Sequence, residues 1–394
     1  MALQAIFARR AALTPQQEIA DAVVLVDGEK IAAVGRREEI AVPPSASRFE
    51  RRDAYIVPGF IDVHIHGAGG YDVMDSTAEA LTAITARVAS RGTTSLLATT
   101  VTASEEATSR AVEAVAAWME RAAHKRAGDT PSAEILGVHF EGPFISCARR
   151  GVHPEQWITA PSVPLFRRLL EAAKGTARIL TLAPELPGAE ELIAEALHAG
   201  VVVSLGHTDA SYAQGMAAIS LGARHTAHVF NAMRPFAHRE TGVLGAILTS
   251  PGVTAELIAD GMHVDDVAIR ILLATKGPQK VILVSDGTAA TGMPDGKYRL
   301  GTQEVSVADG VVRNAEGKLA GSALTLDRAL RHMVALGLPL REVLPMLTAT
   351  PARLLGLDAR KGCLTAGADA DLVLLNDQLQ VTGAMTRGAG LTRD

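Results

Sequence analysis

Short apolar runs alternate along most of the chain with longer stretches whose apolar residues recur at helical spacing. The short runs predict strands, and the Ala-, Glu- and Arg-rich stretches between them, such as 77–90, 105–125 and 189–199, predict helices. Alternation of this kind indicates parallel strands joined by crossover helices. Eight runs qualify as strands: 60–66, 94–99, 135–141, 178–183, 201–207, 225–230, 254–260 and 281–286.

Eight such units predict an α/β fold in which the strands close into a (β/α)8 TIM-like barrel. An open, doubly wound sheet is the alternative arrangement of the same elements. Two further helical stretches, 324–336 and 340–347, follow the last predicted strand.

Both ends of the chain have strand character of a different kind. Runs at 22–26 and 31–35 flank an Asp-Gly turn, which is a hairpin signal. Runs at 362–367 and 370–375 are also typical of strands. We therefore expect a small β-sandwich domain built from residues 1–57 and 351–394, beside a barrel domain at 58–350.

Composition narrows the class of protein. The 394 residues are 48% hydrophobic and 21% charged, as in ordinary globular proteins. The net charge of −5 comes without any lysine- and arginine-rich block, which argues against nucleic acid or an acidic membrane as a partner. The two cysteines form no Cys-x-x-Cys motif, and no signal peptide or membrane span is apparent. These features predict a cytoplasmic protein.

Candidate chemistry lies where the apolar runs end. His64 and His66 are two residues apart on the first predicted strand, so both side chains point to the same face. Glu141 ends the third run, and His207 and His228 lie at the fifth and sixth. The carboxyl ends of barrel strands open on one face, so these side chains should converge there. Two histidines and a carboxylate leave one position open for water, as in catalytic zinc sites.

Asp286 ends the eighth run and is a candidate proton acceptor for hydrolysis. The alternative role is a carboxylate that orients a ligand histidine. His225 lies three residues before His228, so on a strand it faces the other way, and we interpret it as a packing residue. His139 lies two residues before Glu141, so it could share the same face. Hydrogen bonding to a metal ligand and simple packing are equally compatible with this spacing.

In order, these residues fall in motifs that resemble the amidohydrolase superfamily and, within it, the N-acetylglucosamine-6-phosphate deacetylase family. The Pro-Gly-x-x-Asp-x-His motif is shared across the superfamily, whereas Glu-Gly-Pro-Phe with His-x-x-Asn-Ala-Met and Arg-Glu is specific to the deacetylases. The resemblance spans nearly the whole chain, at residues 58–67, 140–144, 151–153, 204–208, 228–233, 239–242, 260–263, 285–287 and 319–322.

The resemblance implies a role for each matching residue. Glu141, His207 and His228 would be the principal metal ligands, with His64, His66 and Asp286 able to hold a second ion. Asp286 would also be the catalytic acid and base, and His153 would polarise the acetyl carbonyl. The implied substrate-binding residues are Val152, His153, Asn231, Ala232, Arg239, Asp260, His263, Leu319, Ala320 and Gly321. Among them, Arg239 would bind the phosphate, reaching across a homodimer interface.

The implied fold is the metal-dependent hydrolase type of barrel. The implied reaction is hydrolysis of the N-acetyl group of N-acetyl-D-glucosamine 6-phosphate, with one or two divalent ions per chain, zinc first and iron or manganese as alternatives. A dihydroorotase-like or D-aminoacylase-like enzyme is the nearest rival. Many of those bridge two metals with a modified lysine, whereas Glu141 ends the corresponding run here. A non-catalytic sugar-phosphate sensor should lack a ligand or the aspartate, and none is missing. The preference between gluco and galacto sugars and the roles of His139, His238 and Cys147 stay open.

Overall fold

The computed structural model of the chain describes residues 3–8, 11–14, 17–51, 53–122 and 132–391. Its first part consists of short strands. The predicted hairpin at the Asp-Gly turn is confirmed, since the fourth and fifth strands pair antiparallel. The strands are β1 (Gln4–Ala8), β2 (Ala11–Leu13), β3 (Glu18–Ile19), β4 (Ala22–Asp27), β5 (Lys30–Arg36), β6 (Ser47–Arg51) and β7 (Tyr55–Pro58).

Eight parallel strands then form the barrel, and all eight predicted strands are confirmed. A small ribbon, β9 (Gly67–Ala68) and β10 (Tyr71–Asp72), follows the first of them. The barrel strands are buried on both faces, which explains why they read as continuous apolar runs. They are β8 (Phe60–Ile65), β11 (Thr93–Thr100), β12 (Glu134–Glu141), β13 (Ala177–Leu182), β14 (Val202–Leu205), β15 (His225–Thr226), β16 (Thr254–Leu257) and β17 (Val281–Leu283).

Helices surround the barrel at the predicted places. The end of the predicted helix 105–125 lies partly outside the described residues. No helix among the described residues is long and apolar enough to span a membrane. The helices are α1 (Ala78–Ala89), α2 (Glu105–Ala122), α3 (Val163–Ala173), α4 (Ala189–His198), α5 (Tyr212–Leu221), α6 (Gly242–Thr249), α7 (Asp266–Lys276), α8 (Leu326–Ala335), α9 (Leu340–Leu347) and α10 (Ala349–Leu354).

The barrel closes next to its metal-binding candidates. β8 and β17 are the two ends of the eight-stranded sheet. The Asp286 N–H donates to the His64 carbonyl at 2.9 Å, and the His66 N–H donates to the Gly287 carbonyl at 2.8 Å. These bonds exclude the open-sheet alternative and bring the eighth strand end against the first.

An antiparallel sheet that the sequence pattern did not predict is inserted after β17. It consists of β18 (Gly296–Leu300), β19 (Gln303–Ala308) and β20 (Val311–Asn314). Its apolar side chains form a small cluster of their own, against which Val152 packs. The insert therefore covers part of the barrel mouth.

Strands from both chain ends share one sheet, as predicted. β21 (Leu372–Leu375) pairs with β7 and with β22 (Val381–Met385). One apolar core joins this sheet to the four-stranded sheet of β1, β4, β5 and β6, which is a β-sandwich arrangement. The domain limits at residues 57 and 350 stay a prediction.

The predicted strand at 362–367 is wrong, since this segment is irregular and turns. Gly362 and Gly367 have φ of +71° and +88°, a left-handed conformation that interrupts a regular strand. The apolar residues between them, Cys363 and Leu364, are buried in the sandwich core without belonging to a strand.

Candidate metal centre

The carboxylate of Glu141, at the end of β12, lies at the centre of a cluster of five imidazoles. Glu141 is 2% exposed, and all five rings are buried. The carboxylate and the imidazoles, which are far apart in sequence, therefore meet at the mouth of the barrel. Oε1 of Glu141 lies 3.2, 3.2 and 2.9 Å from the Nε2 atoms of His64, His207 and His228. Oε2 of Glu141 lies 3.3 and 3.1 Å from the Nε2 atoms of His66 and His153.

Three candidate metal ligands have backbone conformations that lie in the left-handed region. The φ angles of His207, His228 and Asp286 are +48°, +21° and +48°. Non-glycine residues adopt such angles at a cost of about 1–3 kcal/mol each, which persists only where the surroundings fix them. At these residues the chain leaves the strand, which is why β14, β15 and β17 end before the predicted limits.

Asp286 lies at the edge of the cluster, beside the first barrel strand. Its Oδ1 is 3.3 Å from Nε2 of His66 and 3.6 Å from Nε2 of His64. Burial alone would raise the pKa of Asp286, but the hydrogen bond from His66 and the nearby imidazoles hold it below its ordinary value. Gly321 contacts it closely, since a Cβ there would lie 2.9 Å from the Asp286 carbonyl oxygen.

His153 is held as a neutral hydrogen-bond donor. Burial, and then the neighbouring His207, lower the pKa of His153 to about 4. Its Nδ1 faces the backbone N–H of Thr102 at 3.2 Å, and an N–H can only donate. The ring proton is therefore on Nε2, which lies 3.1 Å from Glu141 Oε2. A neutral N–H in this place suits a carbonyl oxygen that gains negative charge.

The donor set fits a divalent cation. Ligand atoms of three groups lie within 4.8 Å of one another: His64, Glu141 and His228; His64, His66 and Asp286; and Glu141, His153 and His207. Imidazole nitrogens and carboxylate oxygens are ligands for zinc and other first-row ions. His64 Nε2 is buried and makes no hydrogen bond with ideal geometry, although Glu141 is near. A buried imidazole nitrogen without a hydrogen-bond partner is suited to bind a metal ion.

A cavity of about 240 Å3 opens above this cluster. It brings together most of the residues predicted to bind substrate. Ala320 is fully buried and does not line it, and the Asp260 carboxylate instead accepts a hydrogen bond from His263 Nδ1 at 2.7 Å. Arg239 is exposed on the loop before α6, away from the lining of this single chain. The predicted residues that do line the cavity are Val152, His153, Asn231, Ala232, His263, Leu319 and Gly321.

Sequence reasoning missed two apolar residues that line the cavity and two polar residues beneath it. Val101 lies just past the end of β11, where the strand-end rule would have found it, whereas Leu300 lies in the unpredicted insert. Glu256 stands inside an apolar run and not at its end, so the strand-end rule did not select it. His225 does face away from Glu141, but the packing interpretation is wrong, because its Nε2 bonds Glu256 Oε1 at 2.8 Å.

His139 supports the base of the site rather than reaching the carboxylate. Its Nδ1 lies 3.0 Å from the Val63 carbonyl and its Nε2 lies 2.7 Å from Thr181 Oγ1. Burial and then the nearby His64 lower the pKa of His139 to about 3, so the ring is neutral. It joins three barrel strands at the level just below the ligands.

A larger cavity of about 460 Å3 opens at the opposite end of the barrel. It is lined by the chain before β8 and β17 and by α9 and α10, and no histidine faces it. The carboxyl ends of the strands, not the size of the cavity, therefore identify the site.

A closed parallel barrel with histidines and carboxylates at its mouth defines the metal-dependent class of hydrolases. The profile of the amidohydrolase family matches residues 55–389, and the chain belongs to this family. Its curated relatives are amino-sugar phosphate deacetylases. The N-acetylglucosamine-6-phosphate deacetylase of Bacillus subtilis (strain 168) is 37% identical over 379 residues, which are 96% of this chain and 94% of that protein. The N-acetylgalactosamine-6-phosphate deacetylase of Escherichia coli O157:H7 is 36% identical over 350 residues, 88% and 91% of the two chains.

Solved structures of amino-sugar phosphate deacetylases also resemble this chain over nearly its full length. The N-acetyl-D-glucosamine-6-phosphate deacetylase of Mycobacterium smegmatis superposes with a TM-score of 0.90 at 36% identity, covering 99% of this chain and 100% of that one. The N-acetylglucosamine-6-phosphate deacetylase of Pasteurella multocida has a TM-score of 0.92 at 31% identity, with 99% and 100% coverage.

Proposed function

We propose that this protein hydrolyses the N-acetyl group of N-acetyl-D-glucosamine 6-phosphate, giving acetate and D-glucosamine 6-phosphate. The observation that carries the proposal is the buried Glu141 carboxylate, ringed by five imidazoles with Asp286 at its edge, at the mouth of a barrel. The names of its relatives support the substrate, since they match nearly the full length of the chain. A variant of the M. smegmatis relative is known in complex with N-acetyl-D-glucosamine-6-phosphate.

Glu141, His207 and His228 would hold the principal divalent ion, and His64, His66 and Asp286 would hold a second one with Glu141 shared. When bound, such an ion lowers the pKa of its water and stabilises negative charge on the substrate carbonyl. Zinc is the first candidate, with iron and manganese as alternatives. One metal per chain, unchanged when His64 and His66 are both replaced by alanine, would contradict a second site.

The protein's own groups perform the proton transfers. The Asp286 carboxylate takes a proton from the attacking water as the new C–O bond forms, and returns it to the nitrogen as the C–N bond breaks. The His153 Nε2–H donates to the carbonyl oxygen while that oxygen gains charge. Water thus supplies the hydroxyl group of acetate and the proton of the free amine.

Asn231, Ala232 and His263 would position the sugar, and Arg239 would bind the phosphate. Arginine suits this task because its planar fork makes bidentate, charge-assisted bonds with phosphate. Arg239 is exposed in the single chain, which is compatible with its reaching the site of a partner subunit in a homodimer. Arg239→Ala should raise KM for the phosphorylated sugar and leave N-acetylglucosamine hydrolysis unchanged. An equal effect on both sugars would exclude phosphate recognition.

The decisive experiment measures acetate release after a chelator has removed metal and zinc, iron or manganese has been restored. N-acetylglucosamine 6-phosphate should be hydrolysed far faster than dihydroorotate or N-acyl-D-amino acids. N-acetylgalactosamine 6-phosphate belongs in the same panel, because one relative carries that name. Preference for dihydroorotate or an N-acyl-D-amino acid would contradict the proposal and favour a dihydroorotase-like or D-aminoacylase-like enzyme. No acetate with any of the three metals would revive a non-catalytic sugar-phosphate sensor.

A further inference from the structure

Glu256, on β16, is a fully buried carboxylate directly beneath the metal centre. Its Oε2 accepts from His64 Nδ1 at 2.7 Å and from the backbone N–H of His228 at 3.1 Å. Its Oε1 accepts from His225 Nε2 at 2.8 Å. One carboxylate therefore receives hydrogen bonds from residues of β8 and of the β15 region.

The bond to His64 fixes the tautomer of that ring. A carboxylate oxygen at 2.7 Å from Nδ1 requires the proton on Nδ1. The lone pair is then on Nε2, which lies 3.2 Å from Glu141 Oε1 and 3.6 Å from Asp286 Oδ1. This nitrogen makes no hydrogen bond of its own. It is therefore free to bind a cation between the two carboxylates.

The hydrogen bond from the His228 N–H to Glu256 fixes the backbone of a second candidate metal ligand. The backbone at His228 has a φ of +21°, an unfavourable angle that needs support from its surroundings. Glu256 supplies that support at the point where the chain leaves β15. His225 in turn holds Glu256, and its own Nδ1 lies 2.8 Å from Thr254 Oγ1.

We infer that Glu256 is a positioning residue of the metal centre, which commits His64 to bind through Nε2 and holds the backbone turn that presents His228. The inference deepens the proposed function and rests on its metal site. A carboxylate buried without a partner would be costly, and here all its partners belong to ligand-bearing segments. Carboxylates that hold a ligand histidine in this way orient the ring and increase its basicity.

The test is the zinc affinity of Glu256→Gln, measured by competition with a chromophoric chelator, together with zinc per chain after dialysis. The amide keeps the size of the side chain but loses the charge and one acceptor oxygen. Zinc binding should weaken about 10- to 100-fold, the usual effect of removing such a partner. Glu134→Gln is the matched control, because Glu134 is a carboxylate at the other end of β12 whose partners are Arg360 and Lys361. It should leave zinc affinity unchanged.

A second measurement uses the native protein and does not depend on whether the variant folds. In the zinc-loaded protein, nitrogen NMR of labelled histidine should find His64 protonated at Nδ1 and metal-bound at Nε2. The inference is overturned if His64 binds zinc through Nδ1, or if folded Glu256→Gln binds zinc like the native protein. Both readouts involve zinc alone, so they stand even if no acetate is released from any sugar.

Discussion

Asp286 is the side chain that we propose accepts and returns the proton of hydrolysis. We expect Asp286→Asn to lower kcat by about 10²- to 10⁴-fold, the usual range for loss of a general acid–base group. Zinc should still bind at Glu141, His207 and His228, since these do not depend on Asp286. Steady-state kinetics and metal analysis of the same preparation check both parts. Activity within tenfold of the native protein would exclude the proton-transfer role.

His153 is expected to act mainly on the transition state, because its Nε2–H faces the place where the carbonyl oxygen would gain charge. His153→Leu should lower kcat by about 10²- to 10³-fold with little change in KM, as for the loss of one oxyanion donor. Thr102→Val is the control, because it removes the Thr102 hydroxyl, which lies 2.8 Å from His153 Nδ1, but keeps the backbone N–H at 3.2 Å that leaves the ring proton on Nε2. If the two variants behave alike, the loss comes from altered packing and not from the donor.

At the scale of single residues, the sequence predicted that His64, His66, Glu141, His207, His228 and Asp286 lie close together, because each lies at or near the end of an apolar run. His64, Glu141 and Asp286 interrupt apolar runs at their ends, and the barrel geometry supplies the convergence. Glu256 could not be found in this way, since the imidazoles hydrogen-bonded to its carboxylate are 31 and 192 residues distant in sequence. A buried acid inside a strand was itself the available signal, because its cost requires partners.

At the scale of elements, the β18–β20 insert contributes a wall to the cavity. Leu300 ends β18 and is 5% exposed. Gly301 follows, and a Cβ added there would lie 2.5 Å from Val101 Cγ1. Val101 and Val152, which line the same cavity, follow the second and third barrel strands, near His153. Asn231 and His263 follow the sixth and seventh strands, on the other side. The acyl group should therefore lie on the side of Leu300, where the lining is apolar.

Leu300→Ala should widen the acyl end of the cavity. We expect kcat/KM for the N-propionyl sugar phosphate, relative to the N-acetyl one, to rise about tenfold, near the lower limit for one methylene in an apolar pocket. Val305→Ala is the control, because Val305 is buried in the insert and does not line the cavity. Equal acyl preference in Leu300→Ala and the native protein would show that the wall lies elsewhere.

The elements themselves were predictable where burial leaves a pattern. Barrel strands covered on both faces read as apolar runs, and the crossover helices have helical period. In the insert, by contrast, β18 has mostly exposed side chains and β19 buries only Val305 and Val307 well. The apolar residues of segment 362–367 are buried in the sandwich core, but burial there does not require a strand. Glycines at both ends of that segment determine its backbone.

At the scale of the whole molecule, one buried lysine joins the barrel to the chain's C-terminal part. Lys361 is 2% exposed, and its Nζ contacts Glu134 at the start of β12, Asp371 at 2.6 Å and Asp369 at 3.1 Å. Burial would lower the pKa of Lys361, but Asp371 and the other carboxylates hold it well above its ordinary value. These three carboxylates could hold a metal by their spacing, but the ammonium group already occupies the space between them.

Replacing Lys361 by methionine should destabilise the protein strongly at neutral pH. Loss of one partner leaves buried charge without compensation, which costs about 3–5 kcal/mol. Arg360 still pairs with Asp369 at 2.6 Å, so the lower part of that range is expected. Urea unfolding of native and variant proteins at pH 7 measures the difference. Lys30→Met is the matched control, because Lys30 contacts the same Asp369 at 2.7 Å from a half-exposed position, where such pairs contribute about 0–1 kcal/mol.

The pH dependence of that difference distinguishes charge from packing. In the native protein the pKa of Asp369 is held well below its ordinary value; burial opposes this shift, and Arg360, Lys30 and Lys361 outweigh it. Its stabilising effect is therefore complete above the unfolded pKa, about 3.9, and is lost as pH falls through the lower folded value. Asp371 behaves differently, because burial raises its pKa above the ordinary value and Lys361 opposes that rise. Without Lys361 this carboxyl takes up a proton at a higher pH, which relieves the uncompensated charge. The stability difference between native protein and Lys361→Met should thus shrink from pH 7 toward pH 4.5. A difference that stays constant over this range would mean that the lysine acts through the volume of its side chain and not through its charge.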